Sequence, residues 1–296
     1  MFPLQYIEPV FRPPSEAESL ILQVTNGCSW NQCTFCDMYT AEQKRFRPKA
    51  QADIEAELQA VVAEGFPIRR VFLADGDAMT LSFRRLKAIL TAIRQYLPSV
   101  QRVSSYCLPR NLNNKSVDEL TELRGLGLSL MYVGCESGDD GVLAAIAKGE
   151  TFASSLAALE KIRASGMKSS VMILNGMGGQ QFSEQHALNS ARLMNAAQPE
   201  YLATLVVSFP RGMARVQAGF NGQYQPLAQL GLFREIQMLL SALELEKTIF
   251  RSDHASNYLV LKGVLNKDKD RLLQTVEQAI QRPGSVRLRS EWQRGL

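Results

Sequence analysis

Short apolar runs alternate with amphipathic stretches from residue 20 to about residue 210. Leu20-Ile21-Leu22-Gln23-Val24 reads as a first strand, and Gly27 opens a loop behind it. Over residues 53–64 the apolar side chains Ile54, Leu58, Val61 and Val62 recur at helical spacing, which predicts a helix. Residues 70–74 form the next strand, and the helix over 82–96 stops ahead of Pro98. A third strand over 102–107 precedes a helix capped by Ser116 and ending near Gly125. The alternation continues with a strand at 128–134, helices at 140–147 and 152–165, a strand at 171–174, a helix at 183–197 and a sixth strand at 201–208. Parallel strands need crossovers, and right-handed crossovers curl a sheet one way. The expected fold class is therefore α/β, a partial (β/α)6 TIM-like barrel over 20–215 behind an N-terminal arm, 1–19. Residues 216–296 read as a mostly helical C-terminal extension packed beside the barrel, with helices over 229–245 and 268–281. Residues 212–226 read as loop, and 250–263 receives no element. A flat doubly wound sheet is the alternative.

With 296 residues, 46% of them hydrophobic, the chain can bury a sizeable core without disulfides. No apolar run approaches the ~18–20 residues that cross a bilayer. The proline-rich start has no hydrophobic block of the signal-peptide kind. Membrane, secreted and fibrous classes are excluded on this reading, and a cytoplasmic protein is expected. A net charge of +4 favours anionic partners but gives no strong indication of nucleic-acid binding. Two basic groups, Lys44, Arg45, Arg47 and Lys49, and Arg282, Arg287, Arg289 and Arg294, read as solvated surface charge.

Placement separates the cysteines. Cys28, Cys33 and Cys36 fall within one loop, whereas Cys107 and Cys135 stand alone. In a reducing compartment a tight cluster points to metal or redox chemistry. Three thiolates can hold three corners of a cubane iron–sulfur cluster, leaving one iron open because the loop has no fourth cysteine. An open position is what separates catalytic from structural metal sites. A zinc site would have to recruit His186 or His254, both remote and at no recognisable zinc spacing.

In parallel α/β folds the C-terminal strand ends face the reaction. Asp75-Gly76-Asp77 follows the second strand, where Asp-Gly is also an ordinary turn. Ser105, Cys107 and Arg110 lie at the third, and Cys107 reads equally as a small packed hydrophobe. Glu136 and Ser137 end the fourth, although Ser137 or Asp139 could cap the next helix. Lys148 follows and reads as solvated or as a partner for a carboxylate. Gly176 and Gly178 lie at the fifth, in a spacing that is not the dinucleotide fingerprint. Met213 closes the sixth. His254, in a polar block, reads as a substrate contact or as a satisfied loop histidine; His186, in mid-helix, reads as structural.

The cysteine loop resembles that of the radical S-adenosylmethionine superfamily, whose three cysteines follow the first barrel strand as C-x3-C-x2-C with an aromatic before the last. Phe35 fills the aromatic place, while the gap from Cys28 to Cys33 is one residue longer. The resemblance covers about 20–215 and implies an enzyme with a [4Fe–4S] cluster on Cys28, Cys33 and Cys36. S-adenosylmethionine would chelate the open iron. One electron, from a donor such as flavodoxin or ferredoxin, would cleave it to methionine and a 5′-deoxyadenosyl radical that takes hydrogen from an unknown substrate. The resemblance also implies that Asp75, Gly76 and above all Asp77 hold the cofactor's ammonium, where the family commonly has Gly-Gly-Glu. By the same resemblance Glu136 or Ser137 meets the ribose or carboxylate, Lys148 answers the carboxylate, and Gly176, Gly178 and Met213 border the adenine. Ser105 is grouped with these cofactor contacts, and His254, Cys107 and Arg110 are the catalytic candidates. Within the superfamily the chain looks most like iron–sulfur oxidoreductases grouped loosely with oxygen-independent coproporphyrinogen oxidases. The alternative function is a zinc-stabilised three-cysteine protein that binds RNA or another polyanion without radical chemistry.

Overall fold

A computed structural model describes residues 4–294. The chain forms two compact units: one holds the residues up to Asn31, Cys36–Val133 and Glu160–Ser169, the other Gln32–Phe35, Gly134–Leu159 and the chain from Ser170 onward. The outermost residues of the expected arm and extension, 1–3 and 295–296, lie outside the described residues.

In the first unit the strands β1 (Leu20–Gln23), β2 (Arg70–Ala74), β3 (Arg102–Cys107) and β4 (Leu128–Glu136) lie side by side in that order, all parallel. The last three residues of β4 belong to the second unit. Leu20 stands opposite Val71 and Leu22 opposite Leu73, so the apolar runs pair with each other. β1 and β2 are nearly continuous hydrophobic runs, as expected of strands buried on both faces, whereas β3 carries two buried serines, Ser104 and Ser105. The crossover helices are α1 (Gln51–Ala63), α2 (Phe83–Tyr96) and α3 (Val117–Gly125). In α1 the side chains of Ile54, Leu58 and Val61 are buried, but Val62 is exposed. At 100° per residue Val62 stands about 80° round from Ile54, beyond the buried stripe. Ser82 caps α2 by accepting from the Arg85 N–H at 3.4 Å. Ser116 and Glu119 form a reciprocal capping box on α3. The arm runs beside β1, where the Gln23 amide accepts from the Ile7 N–H at 2.9 Å and donates to the Ile7 carbonyl at 3.3 Å.

In the second unit β5 (Lys168–Asn175, from Ser170 onward here) pairs in parallel with β6 (Tyr201–Val206), and β6 pairs in parallel with β7 (Ile249–Ser252). A final strand, β8 (Leu261–Val264), runs antiparallel to β7. The segment 250–263 thus contributes strands to the sheet, and the extension is not helical throughout. Its alternation of Phe250 and Ser252 inward with Arg251 outward is the short-strand signal that the surrounding polar block obscured. The unit's helices are α4 (Asp140–Ala145), α6 (Gly179–Ala197), α7 (Ala214–Gly219), α8 (Gln229–Ala242) and α9 (Leu265–Gln281); α5 (Phe152–Ala164) divides between the units. Two expectations are corrected. The stretch read as loop contains α7, anchored by buried Val216 against Val142, Leu143, Ile146 and Phe220. Helix α6 starts four residues earlier than the pattern indicated, directly after the glycines, because Gly178 accepts the first helical hydrogen bond from Phe182 at 3.2 Å.

Phe72 is fully buried in β2 and touches the rings of Tyr106 and Tyr132 edge-on, with centroids 5.1 and 6.1 Å away. Phe72→Ala is expected to lower unfolding stability by about 3–5 kcal/mol, read as a shifted midpoint in urea.

Candidate functional site

The cysteine loop begins where β1 leaves the sheet. Thr25–Asn26 pairs antiparallel with Arg47–Pro48, so the chain returns on itself after the loop. The Asn26 amide donates to the Gln43 carbonyl at 2.7 Å and the Arg45 carbonyl at 2.9 Å, gripping the backbone on both sides of Lys44. That grip turns the Lys44 side chain inward. Its ammonium is fully buried, ion-paired with Asp75 and donating to the Ile7 carbonyl at 2.8 Å. The reading of Lys44 as solvated is therefore corrected, while Arg45 and Arg47 are exposed as expected. The same oxygen of Asp75 receives the Gly27 N–H and the Gln23 amide, each at 3.4 Å. Gly27 has φ +71, and a Cβ there would overlap the Lys44 carbonyl, so only glycine fits.

Asp77 lies two residues on and is also fully buried. Its Oδ2 accepts from the N–H of Ser29 at 3.2 Å and from the Ser29 hydroxyl, which ties the carboxylate to the residue after Cys28. Burial pushes the Asp77 carboxyl above its ordinary range, opposed by Ser29, Asn111 and the Arg110 guanidinium. Its other oxygen, Oδ1, is buried with no hydrogen-bond partner, as is Oδ1 of Asp75. Gly76 between them lets the backbone lie against the Tyr39 ring. Arg110 stacks over Trp30 with 3.7 Å from guanidinium carbon to ring centroid, so it braces the cysteine loop. Ser105 is buried and donates to the carbonyls of Leu73 and Tyr106, at 3.2 and 2.9 Å. Cys107 is buried, its thiol 3.4 Å from the Leu108 carbonyl, in keeping with the packed-hydrophobe reading.

Within the second unit, the Thr34 N–H donates to the Ile146 carbonyl at 2.9 Å and Arg215 donates to the Cys33 carbonyl at 2.8 Å. Phe35 packs on the apolar cluster of Leu143, Ile146, Leu174 and Phe220. Lys148 is buried, not solvated, and its ammonium lies 2.9 Å from Glu136 Oε1. Burial works to lower Lys148, but the Glu136 carboxylate and then Cys33 outweigh it and hold the ammonium above the usual lysine range. Glu136 has φ +65, and its Oε2 is buried without a partner. Ser137 is 2.7 Å from His186 Nδ1, while Asp139 caps α4 by accepting from Val142 at 2.9 Å. Gly176 and Gly178 are buried at the end of β5, and Met213 is exposed. His254 turns back on its own loop: Nδ1 accepts from the Ser256 N–H at 3.1 Å, and burial and then Arg289 lower its pKa. Arg289 donates to the carbonyls of His254, Asn257 and Asp253, and Arg294 to that of Ser256. Both arginines thus brace this loop, which corrects their reading as solvated charge.

Cys28, Cys33 and Cys36 are each half-buried in the loop. Among the described residues no three His, Cys, Asp or Glu side chains are gathered as the ligands of one metal ion. A cubane asks for a wider set, since each thiolate meets its own iron. The fit to a cluster carrying an amino-acid ligand rests on donor chemistry. Soft thiolates suit iron and sulfide, and the unpartnered oxygens of Asp75 and Asp77 are acceptors that an ammonium group would satisfy. Sequence reasoning missed Lys44 and Ser29. The return of the chain at Arg47–Pro48 was the signal that residue 44 lies under the strand ends.

The family model of the Radical SAM superfamily matches residues 22–191. Coproporphyrinogen III oxidase from Escherichia coli, a radical SAM enzyme, is similar in structure with a TM-score of 0.58 at 16% identity, over 75% of this chain and 52% of that one. The radical S-adenosylmethionine methyltransferase TsrM from Kitasatospora setae, solved with tryptophan and a SAM analog, gives 0.51 at 21% identity, over 62% of this chain and 35% of that one. Methylornithine synthase gives 0.51 at 15% identity, over 90% and 81%. The chain spans about a third of the methyltransferase and half of the oxidase. At these identities the likeness shows the fold, the α/β partial-barrel class expected from the alternation. No curated protein matches the chain. These likenesses give no support to the zinc alternative. No helix among the described residues is long and apolar enough to cross a membrane.

The Lys44–Asp75 pair has no exposed side-chain surface. Lys44→Met strands a buried carboxylate and is expected to cost about 3–5 kcal/mol, while adding Asp75→Asn to the same chain should recover much of the loss. Urea unfolding of both variants measures it.

Proposed function

Because the chain belongs to the radical SAM superfamily, we propose that Cys28, Cys33 and Cys36 hold its [4Fe–4S] cluster, and that the chain acts as a hydrogen-abstracting enzyme on a substrate C–H bond. Held by these thiolates, the cluster would supply the one electron for the reductive cleavage of S-adenosylmethionine that is general to this family, and with it the means of taking a hydrogen atom from substrate. The observation that carries the reading is the buried, unpartnered Oδ1 of Asp77, on the carboxylate that receives Ser29 beside Cys28.

Each residue then has a definite task. Asp77 accepts from the cofactor's ammonium, which offsets the cost of burying its charge. Asp75, held by Lys44, fixes the Gly27 N–H and so the start of the loop. Lys148 attracts the cofactor carboxylate while Glu136 sets its position. Phe35, seated in the apolar cluster, keeps water from the loop's last turn. Ser137 borders the ribose, and the glycines Gly176 and Gly178 present backbone to the adenine. Arg110 acts through Trp30 as a positioning residue. Reduced thiolates are needed to load iron, which supports a reducing compartment such as the cytoplasm, with flavodoxin or ferredoxin as the class of electron donor.

Anaerobic reconstitution with iron and sulfide tests the reading. The expected product is brown, with thiolate-to-iron absorption, and releases 5′-deoxyadenosine from S-adenosylmethionine under dithionite. Cys33→Ala should lose both properties. A colourless zinc protein that releases none would overturn the proposal.

A further inference from the structure

We propose that Glu235 and Tyr224, both in the C-terminal extension, are positioning residues that set the Gly176 peptide for S-adenosylmethionine; this deepens, and rests on, the reading of the β5 end as a cofactor-binding segment. Gly176 has φ +88, and a Cβ there would come within 2.9 Å of Leu232, so the position is confined to backbone contacts. Both polar atoms of this residue are taken by the extension. The Gly176 N–H donates to Glu235 Oε1 at 2.5 Å, and its carbonyl accepts from the Tyr224 hydroxyl at 2.9 Å as well as from the Gly179 N–H at 3.0 Å.

The carboxylate making this contact is an expensive one. Glu235 is 2% exposed, and burial raises its pKa against the opposing pull of His186, Ser183 and the Gly176 N–H. Its second oxygen accepts from Ser183 at 2.6 Å, on α6. The turn into α6 supplies only one of the partners of Gly176, the Gly179 N–H on its carbonyl; the side-chain partners come from the extension. Here a buried carboxylate holds the peptide before Gly176 and a buried phenol the peptide after it. The small cavity on the far side of Glu235, about 10 Å³ and lined also by Asn175, His186 and Thr204, has room for one water at most.

The neighbouring strand end is tied into the same network. His186 Nε2 lies 3.0 Å from the Leu174 carbonyl, which only accepts, so this nitrogen carries the hydrogen. His186 Nδ1 lies 2.7 Å from the Ser137 hydroxyl, whose oxygen accepts from the Asp139 N–H at 3.0 Å. His186 Nε2 stands 3.8 Å from Glu235 Oε1. One buried polar cluster therefore fixes Ser137 after β4 and Gly176 after β5, two positions assigned above to the cofactor. Helix α8 supplies an element of the site that the family match, ending at residue 191, does not include.

The test uses the full chain with its cluster reconstituted, titrated with S-adenosylmethionine and read by the change in the electron paramagnetic resonance spectrum of the reduced cluster. Iron content per chain should stay at the wild-type value in Glu235→Ala, Glu235→Gln and Tyr224→Phe, because none of these changes removes a hydrogen bond of the cysteine loop and Tyr224→Phe keeps its ring in the cluster that seats Phe35. Glu235→Ala should weaken the apparent Kd by about tenfold, Tyr224→Phe by about three- to tenfold, and Glu235→Gln, which keeps an acceptor oxygen, by less than about threefold. Wild-type affinity in loaded Glu235→Ala and Tyr224→Phe overturns the proposal, and so does an equal loss in Glu235→Gln and Glu235→Ala. If Glu235→Ala does not fold, Tyr224→Phe decides, since it retains the ring that packs on Phe220 and Phe209. A wild-type cluster whose spectrum ignores S-adenosylmethionine overturns the cofactor reading beneath, a result separate from any difference among the variants.

Discussion

A strand that ends inside a protein releases backbone groups that the sheet no longer pairs, and water cannot reach them. In both units this constraint is met at the C-terminal strand ends by charged or polar side chains brought in from elsewhere in the chain. After β1 and β2 the Asp75 carboxylate collects the Gly27 N–H, the Gln23 amide and the Lys44 ammonium on a single oxygen. After β5 the Glu235 carboxylate and the Tyr224 hydroxyl divide the two polar atoms of Gly176. The strand ends are held in defined positions by these partners, and the candidate cofactor residues are the neighbours of the groups so held.

Such partners are a poor source of net stability. The desolvation of Lys44 and Asp75 roughly cancels their attraction, and an apolar pair of the same size could hold the fold as well. What the ion pair adds is direction. It joins the arm at Ile7, the loop entrance at Gly27 and the end of β2 at one point, so a shift in any of them breaks several bonds together. The saturated oxygen of Asp75 contrasts with the vacant oxygens on Asp75 and Asp77. A buried acceptor left without a donor is rare in a folded chain and points to a ligand that supplies one.

Much of the fold was legible because its signals are local. β3 was readable to the residue, and Ser116 with Glu119 announced the start of α3 through capping chemistry three residues long. The cysteines, Phe35 and Asp77 stood out as candidates for the same reason: each belongs to a short motif. The failures share a different character. Lys44, Lys148, Arg289 and Arg294 read as solvated because a cation's composition says nothing of the partner that buries it, and those partners lie up to 38 residues away. Glu235 gave no local sign at all, since its role depends on Gly176, 59 residues earlier. Helix α7 was hidden by its shortness and by the glycines that flank it, and only the burial of Val216 shows why it forms.

The one departure from the family's cysteine spacing has a local explanation in the loop. Before the extra length is used up, Ser29 is bound to Asp77, and the Asn31 amide donates to the Tyr39 carbonyl at 2.9 Å. Asn31 itself takes φ +43, a left-handed conformation that asparagine tolerates better than most residues. After it, Thr34 and Cys33 are secured through Ile146 and Arg215. An inserted residue in a taut loop would displace one set of anchors. Between Cys28 and Cys33 the backbone turns sharply at Asn31, an exposed residue whose side chain holds the Tyr39 carbonyl. The C-x2-C half, which the aromatic Phe35 seats in the apolar cluster, keeps the family spacing because it has no such slack. The two halves of the loop thus have different support: Ser29 and Trp30 in the first are held by Asp77 and Arg110, and Phe35 in the second by the apolar cluster.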